Sequence, residues 1–314
     1  MSETTETAGH RGGGSVLVTG GLGYVGRHLV SALVEQGHRT ISYNRDYAEG
    51  SPPGVELVQG ELFDLPRLVG TLRRFEVQRI VHTAAMSHPD LSIDLPITTF
   101  RANVEGTLHV FEAARMAGVR RVVNFSSECA YGHVDGPVRE DAPLHPTTPY
   151  GVTKVSTELL GQVYTDLYDL DVISLRITEV YGPGNPMPEI LRDIIKAAQA
   201  EEPFTMESGG DHSFHFVHVR DVARAAILAA FSEHRQQSIY NVTGGQRCTL
   251  SEAAAMIVRL LPAARIDVGE GEWHLDRQGP WDISAIERDL GYLPAYPLER
   301  GLPEYVEWLR DHPY

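Results

Sequence analysis

Cysteine is scarce in this chain, whose 314 residues include only Cys129 and Cys248. Two cysteines so far apart form neither a disulfide framework nor the close spacing of a structural metal site. This usage is typical of a protein from a reducing compartment, and Cys248 is interpreted as a packing residue.

Long apolar runs are also absent, since no stretch approaches the ~20 residues that a membrane-spanning helix needs. Residues 1–14 are polar and glycine-rich, and they are interpreted as a flexible tail rather than a signal peptide. The sequence therefore predicts a cytoplasmic protein with no membrane partner.

Positive charge is in deficit, with 27 Lys and Arg against 42 Asp and Glu and a net charge of −15. Such a balance argues against nucleic acid as a partner, because polyanions are repelled. An anionic ligand would need a locally positive pocket, so a small molecule is the expected partner.

Short apolar strands alternate with helices through the first part of the chain. This order predicts an α/β fold, a Rossmann-type doubly wound parallel sheet covered on both faces. The alternation lapses after Tyr181, which predicts a smaller, discontinuous α/β substrate lobe. We expect a dinucleotide-binding domain over residues 15–182 plus 216–245 and a substrate lobe over residues 183–215 plus 246–314.

The glycine-rich segment TGGLGYVG lies between the first strand and the first helix. Gly20, Gly23 and Gly26 would allow a tight turn, close approach to a pyrophosphate and close helix packing. Tyr24 and Val25 complete the predicted cofactor-binding turn. The alternative, a plain glycine-rich turn, is disfavoured by the companion motifs described below.

The end of the second strand bears on the choice of cofactor. NAD sites usually place an acidic residue there for the ribose, but this chain has Asn44 followed by Arg45. Arg45 could pair with a 2′-phosphate, and Asp46 lies one residue later than the usual acid. We therefore predict NADP over NAD, the alternative being that Arg45 is only a solvated charge. Glu61, with Leu62, is expected near the adenine.

Tyr150 and Lys154 stand four residues apart on a predicted helix, and therefore on one face. An ammonium beside a phenol favours its ionised form and makes it a usable proton acceptor. Ser127 should emerge at the carboxyl edge of the sheet, where it could hydrogen-bond a reacting oxygen. Asn103 would help to hold the backbone of the site or Lys154.

These residues and several further motifs resemble the extended short-chain dehydrogenase/reductase family, especially its NAD(P)-dependent sugar epimerase and dehydratase branch. The resemblance runs from Val16 nearly to the C-terminus. The motifs that carry it are TGGLGYVG, HTAA, NVEGT, SSECAYG, PYGVTK, RITEVYGPG, FVHVRDVA and DLGYLPAYPLERGL.

The resemblance implies roles for individual residues. Ser127, Tyr150 and Lys154 are expected to be catalytic, with Asn103 in support and the lysine also binding the nicotinamide ribose. The HTAA motif adds three residues to the expected cofactor site, Thr83, Ala84 and Ala85. The family resemblance also implies a homodimer. Its two copies would be joined by a four-helix bundle made of the helix over residues 99–117 and the helix after residue 150.

One departure from the family pattern concerns the step that follows oxidation of the substrate. Family dehydratases commonly carry a catalytic glutamate at the position of Cys129, which makes elimination less favoured here. Glu128 remains a candidate acid or base beside Ser127, with a salt bridge or cap as the alternative. A cysteine could also act as an acid or base, so dehydration stays open.

Two other departures concern the substrate. Nucleotide-sugar members usually have asparagine at the position of Glu179 and arginine at that of Phe214. A glutamate near a pyrophosphate costs on the order of a few kcal/mol, and loss of the arginine removes a bidentate phosphate contact. Compensating arginines could come from the surface, the candidates being Arg192, Arg247 and Arg277. The departures favour a substrate without a nucleotide, such as a free sugar, sugar acid or cyclitol.

His212, His215 and His218 recur every third residue. Their aromatic and β-branched neighbours indicate a strand, which sends His215 to the opposite face, so we predict no metal site. Ser87, His88 and His215 are candidates for the substrate pocket, although a structural role is favoured for a single histidine.

The leading functional hypothesis is an NAD(P)-dependent epimerase that acts through a transient ketone on a sugar or sugar-like hydroxylated substrate. The alternative is an NADP-dependent dehydrogenase or ketone reductase that uses the same residues. A dehydratase and a non-catalytic nucleotide-binding regulator are less favoured.

Overall fold

The computed structural model describes residues 14–46 and 53–312. The predicted flexible tail therefore lies, apart from Gly14, outside the described residues. Within the described ranges, no helix is both long enough and apolar enough to cross a membrane.

A seven-stranded parallel sheet forms the centre of the molecule, with its strands in the order β11-β6-β5-β4-β1-β2-β3. These strands are β1 (Ser15–Thr19), β2 (Thr40–Asn44), β3 (Val55–Gln59), β4 (Val77–His82), β5 (Arg121–Ser127), β6 (Asp171–Ile177) and β11 (Ile239–Val242). The inner strands are almost wholly buried because helices cover both faces. The predicted Rossmann-type fold is confirmed.

Helices on the two faces enclose separate apolar cores. One core packs α1 (Tyr24–Glu35), α8 (Val219–Phe231) and α10 (Ser284–Leu290) on the sheet. The other packs α2 (Leu65–Arg74), α5 (Gly106–Ala117) and α6 (Pro149–Tyr168) on the opposite face. Two short helices, α3 (Pro89–Asp94) and α4 (Pro96–Phe100), precede α5.

A third apolar core lies beyond the large sheet. It involves the short strands β7 (Val180–Tyr181), β8 (Pro203–Met206), β9 (Ser213–Phe214), β10 (Val217–His218), β12 (Cys248–Thr249) and β13 (Arg265–Val268), with the helices α7 (Ile190–Gln199), α9 (Leu250–Leu260) and α11 (Leu298–Asp311). Cys248 is buried in this core. We propose the predicted division into a dinucleotide-binding domain and a substrate lobe on the basis of these separate cores.

Local structure differs from the sequence pattern in two places. The apolar run over residues 214–219 suggests one strand, but β9 pairs with β12 whereas β10 pairs with β7. The run is therefore split between two partners. The helix expected over residues 99–117 contains a π-helical turn, Arg101–Glu105, between α4 and α5.

Two buried arginines secure the edge of the sheet opposite to its carboxyl ends. Arg79 donates to the Ala230 carbonyl at 2.9 Å, and Arg121 donates to the Ala229 carbonyl at 3.0 Å. Both carbonyls lie in the last turn of α8, where cations complement the helix dipole. Two carboxylates complete this cluster: Asp171 pairs with Arg121 and Arg235, and Glu233 pairs with Arg79 and Arg120.

The strand order fixes the position of the site. β1 lies between β2 and β4, so the chain continues to opposite sides of β1 at the carboxyl edge of the sheet. A crevice opens at such a switch point. The glycine turn after β1, the HTAA segment after β4 and Ser127 at the end of β5 consequently meet at one edge.

Candidate active site

A cleft of about 1170 Å³ opens at this edge of the sheet. It is lined by most of the residues proposed from sequence, including Ser127, Tyr150 and Lys154. Its volume exceeds the range of roughly 300–1,000 Å³ that is usual for small-molecule sites. The cleft therefore has room for a dinucleotide and a second ligand.

The glycine turn has the shape that a dinucleotide requires. Gly20 has a φ of +69°, and a Cβ there would lie 3.0 Å from the backbone of Ala84. A Cβ on Gly26 would overlap the carbonyl oxygen of Gly20. The N-cap of α1 is Gly23, with no side-chain cap, and the first helical residues, Tyr24 to Gly26, line the cleft. The turn fits a pyrophosphate bound at a helix N-terminus.

Asn44 supports this turn from the end of β2. Its side-chain oxygen accepts a hydrogen bond from the Leu22 amide at 2.9 Å, and its amide group donates to Ser42 at 2.8 Å. The exposed Arg45 guanidinium instead pairs with Asp46 at 3.1 Å. Arg45 is thus already paired with a carboxylate, and Asp46 lines the cleft beside it.

The remaining predicted cofactor residues line the same part of the cleft: Tyr24, Val25, Glu61, Leu62, Thr83, Ala84 and Ala85. Thr83 is held by a hydrogen bond of 2.8 Å to the Thr19 carbonyl. Behind it, the His82 ring lies between the hydroxyls of Thr19 and Thr107, at 2.7 and 2.9 Å. Burial lowers the pKa of His82 to about 3, so this histidine is neutral near pH 7.

Tyr150 and Lys154 lie in the first turns of α6, which starts with Thr148 as its N-cap and Pro149 in its first turn. The Lys154 Nζ lies 5.3 Å from the centre of the Tyr150 ring and donates to the Phe125 carbonyl at 2.7 Å. Ser127 Oγ accepts a hydrogen bond from the Cys129 amide at 3.2 Å. The three side chains thus meet where β5 ends against α6.

The pKa values in this group differ from the simple expectation for a tyrosine beside a lysine. The pKa of Tyr150 is raised, first by burial and then by the neighbouring Cys129, while a hydrogen bond with Ser127 lowers it. Burial lowers the pKa of Lys154 to about 8. The predicted lowering of the tyrosine pKa is absent because the phenol is buried and Lys154 is directed to the Phe125 carbonyl.

Asn103 lies in the π-helical turn and holds a loop rather than Lys154. Its side-chain oxygen accepts a hydrogen bond from the Met86 amide at 2.8 Å, and its amide group donates to the Met86 carbonyl and to Thr153 Oγ1, both at 3.0 Å. These bonds tie the loop that carries Ser87 and His88 to α6, and both residues line the cleft.

Glu128 and Glu179 enter the cleft from the ends of β5 and β6. Burial raises the pKa of Glu179 to about 7. Burial, and then the nearby Glu179, raises the pKa of Glu128 well above its ordinary value. Burial also raises the pKa of the adjacent Cys129 thiol to about 12, so it is a weak acid that stays protonated near neutral pH.

Phe214 lines the cleft, whereas His215 does not. Phe214 stacks on Phe216 with the ring centroids 4.9 Å apart. His215 is buried beside Trp281, because successive residues of an extended chain point in opposite directions. The structure therefore places His215 outside the lining of the cleft, and its role in substrate binding stays a prediction.

The other two histidines of this segment have separate surroundings. His212 Nδ1 lies 3.0 Å from Glu272, and the His218 ring stacks on Tyr296 at 4.7 Å. Among the residues that the structure describes, no group of three or more His, Cys, Asp or Glu could hold a metal ion.

Trp273 and His274 are among the cleft residues that the sequence did not reveal. They lie between β13 and α10 in a segment without regular secondary structure, and no motif marks them. Trp273 lies 6.0 Å from Phe214, measured between ring centroids, and extends its aromatic wall.

Comparison with known proteins agrees with this geometry. The model of the NAD dependent epimerase/dehydratase family matches residues 16–243. The chain belongs to this family. It is an enzyme of the extended short-chain dehydrogenase/reductase type, and the resemblance drawn from its motifs is confirmed.

Individual family members are similar over nearly the whole chain. A UDP-glucose 4-epimerase of Mycolicibacterium smegmatis is 31% identical, covering 94% of this chain and 98% of its own length. A dTDP-glucose 4,6-dehydratase of Streptomyces griseus is also 31% identical, covering 95% and 94%. The UDP-glucose 4-epimerase of Thermus thermophilus in complex with NAD is 27% identical, with a TM-score of 0.84, covering 95% and 99%.

These findings favour NAD over NADP as the nicotinamide cofactor of this family member. They do not support the NADP preference inferred from Asn44 and Arg45. The structure supplies a physical reason, since Asn44 is engaged in the glycine turn and Arg45 is paired with Asp46.

Proposed function

We propose that the protein is an NAD-dependent epimerase that acts through a transient ketone on a sugar-like hydroxylated substrate. The observation that carries this proposal is the meeting of Ser127, Tyr150 and Lys154 in the cleft that also contains the glycine turn. A proton acceptor, a hydroxyl donor and a cation thus line the same cleft as the turn that would hold a pyrophosphate.

The residues of this chain divide the chemistry among them. Burial raises the pKa of Tyr150, so its ionisation would depend on the charges of Lys154 and of a bound oxidised nicotinamide. The phenolate would then take the proton of a substrate hydroxyl as the carbon is oxidised, and return it when the ketone is reduced on its other face. Ser127 donates a hydrogen bond to the reacting oxygen. Lys154, buried with a pKa of about 8, is mainly charged at neutral pH and stabilises negative charge on the phenol. A bound nicotinamide supplies reversible hydride transfer, so the net redox change is zero.

A dehydratase is the second candidate, because Glu128 lines the cleft with a raised pKa and could protonate a departing hydroxyl. Elimination also needs a base at the neighbouring carbon. Cys129 stands at the sequence position where family dehydratases commonly carry a glutamate, and burial raises its pKa to about 12. This thiol is mostly protonated at neutral pH, so the epimerase proposal is favoured.

The cofactor of the purified protein distinguishes the hydride reactions. Bound nucleotide would be released and identified by mass spectrometry, and hydroxylated substrates would then be screened with and without added cofactor. Turnover with only the copurified NAD supports the epimerase. Stoichiometric consumption of NADPH would instead establish a reductase and overturn the proposal.

We predict that Asp46→Ala weakens NAD binding about tenfold. Asp46 lies in the cleft at the end of β2, where a carboxylate can accept hydrogen bonds from ribose hydroxyls, and hydrogen bonds to charged groups are worth about 1.5–3 kcal/mol. The variant should also bind NADP more tightly, because Arg45 loses its carboxylate partner. Fluorescence titration with both cofactors measures the change.

Glu56→Ala is the matched control for this variant, because Glu56 is an exposed acid on β3. It should bind NAD as the unmodified protein does. If the unmodified protein bound NADP more tightly than NAD, the proposal of NAD as the cofactor would be contradicted.

We also propose a homodimer, formed by α5 and α6 with their copies. An apolar stripe, defined by Val152, Leu159, Val163 and Leu167, runs along α6 and is exposed, with Leu159 at 55% and Leu167 at 68%. Neighbouring exposed side chains on α4 and α5 extend this surface, namely Ile97, Leu108 and Met116. A contiguous apolar surface of this kind usually marks an interface.

Leu159→Glu with Leu167→Glu should convert the dimer to a monomer. Two carboxylates in the apolar stripe would lose their hydration on association. Sedimentation velocity would show about half the mass of the unmodified protein. Leu293→Glu, at a site that is also 55% exposed but lies outside the stripe, should remain dimeric. An unmodified protein that sediments as a monomer would refute the dimer.

A further inference from the structure

The substrate end of the cleft, defined by Glu128, Glu179, Phe214, Trp273 and His274, contains two carboxyl groups whose ionised forms have no ion-pair partner in the lining. Burial raises both pKa values, and a bound cation would favour the ionised forms. Glu128 directly follows Ser127 at the end of β5, and Glu179 lies two residues beyond Ile177, the partner of Ser127 on the neighbouring β6. Each also contributes to the raised pKa of Tyr150. They therefore lie beside the reacting group, not at the rim of the cleft.

Neither of these carboxylates has a hydrogen-bond donor or an ion-pair partner among residues 14–46 and 53–312. Other acids nearby are partnered. Glu189 accepts hydrogen bonds from the Leu191 and Arg192 amides at 2.9 and 3.0 Å, and Asp193 pairs with Arg192 at 3.1 Å. Glu128 and Glu179 thus have free acceptor oxygens directed at the space that a ligand would occupy.

No arginine or lysine of the described residues forms an ion pair with Glu128 or Glu179. The arginine and lysine side chains among the described lining residues are Arg45, at the cofactor end, and Lys154. Of the three arginines considered from sequence, Arg192 pairs with Asp193 and Arg277 lies 3.7 Å from Asp135. Arg247 lowers the pKa of His215, which lies outside the cleft, and does not itself line the cleft.

Part of the same lining is an aromatic wall, formed by the rings of Phe214 and Trp273. Aromatic rings can cover the apolar face of a sugar or cyclitol, and their π faces attract cations. The ring faces carry no positive charge that could pair with a phosphate. The wall and the two carboxylates independently select against an anionic substrate.

We propose that the substrate is an amine-bearing polyhydroxylated molecule without a diphosphate, and that its ammonium binds between the Glu128 and Glu179 carboxylates. An ammonium offers three donors and the positive charge that this end lacks. The proposal rests on the hydride chemistry proposed at Tyr150, since it places the amine next to the hydroxyl that reacts there.

The experiment is calorimetric titration of the NAD-loaded protein near neutral pH with three probes: D-glucosamine, D-glucose and UDP-glucose. D-glucosamine should bind at least tenfold more tightly than D-glucose, and UDP-glucose more weakly than D-glucosamine. Equal binding of the two hexoses, absence of D-glucosamine binding, or tighter binding of UDP-glucose would overturn the proposal.

Two variants test whether Glu179 causes the preference for D-glucosamine over D-glucose. Glu179→Gln keeps the size and hydrogen-bonding capacity of the side chain but removes its charge, and should reduce the preference for D-glucosamine at least tenfold. Asp193→Asn removes a charge that is already paired, and should leave the preference unchanged. Equal effects of the two substitutions would show that general acidity, not Glu179, determines the preference.

A gain of binding provides a converse test. Glu179→Asn with Phe214→Arg removes the repelling carboxylate and adds a bidentate phosphate donor. This double variant should bind UDP-glucose at least tenfold more tightly than the unmodified protein. No gain would argue against these residues as the cause of the exclusion.

The outcomes are separable from those of the proposed function. Epimerisation of UDP-glucose with bound NAD would support the proposed function and contradict the proposal of an amine-bearing substrate. A protein that binds no NAD would refute the proposed function, and the same titrations without cofactor would still test the amine preference.

Discussion

Tyr150→Phe should lower kcat about 10²–10⁴-fold, the usual contribution of a positioned general acid or base. The substitution removes one oxygen and leaves the ring that packs against Lys154 in place. NAD binding and the unfolding temperature should stay nearly unchanged. Single-turnover measurement of hydride transfer, together with cofactor titration, separates the chemical step from binding.

A second tyrosine of α6 provides the control for this experiment. Tyr168 lies at the far end of the helix, is about half exposed, and contacts Tyr164 and Arg115. Tyr168→Phe should retain full activity. If Tyr150→Phe did the same, proton transfer by Tyr150 would be refuted, and with it the proposed mechanism.

Arg176→Met should reduce the free energy of unfolding by about 3–5 kcal/mol, the usual cost of removing one partner of a buried ion pair. Arg176 and Glu158 are each only 2% exposed and form two hydrogen bonds, of 2.9 and 2.7 Å. Without the arginine, Glu158 would remain buried without its countercharge. Urea unfolding followed by circular dichroism measures the loss.

Exposed ion pairs should behave differently, because solvent screens them. Arg310→Met breaks a pair with Glu307 in which both side chains are more than half exposed, and should cost less than about 1 kcal/mol. Arg176→Met combined with Glu158→Leu should recover part of the loss. Equal costs for the two single substitutions would show that burial of the first pair is unimportant.

The sequence was sufficient for the fold and for the positions of the central residues, because both depend on short-range rules. Alternating apolar strands and helices determine a parallel sheet, and the carboxyl ends of its strands must share one edge. Residues that directly follow β1, β4 and β5 therefore converge there. The catalytic roles of Ser127, Tyr150 and Lys154 remain predictions that the variants above test.

The errors come from interactions that local patterns do not encode. The sequence suggests Arg45 as a phosphate ligand, but its pairing with Asp46 depends on how the loop folds. The position of His215 depends on a chain that changes strand partners between β9 and β10. Trp273 reaches the cleft from a segment with no periodicity. Periodicity and motif spacing carry no information on these contacts.

The arginine cluster at the amino ends of the strands makes the two edges of the sheet different in charge. Four of its scarce cations surround two carboxylates there, leaving an excess of two positive charges at the amino ends of the strands. At the carboxyl ends, Glu128 and Glu179 have no such partners among the described residues. A cation bound beside Glu128 and Glu179 would therefore supply at the carboxyl edge the pairing that the arginines already provide at the amino edge.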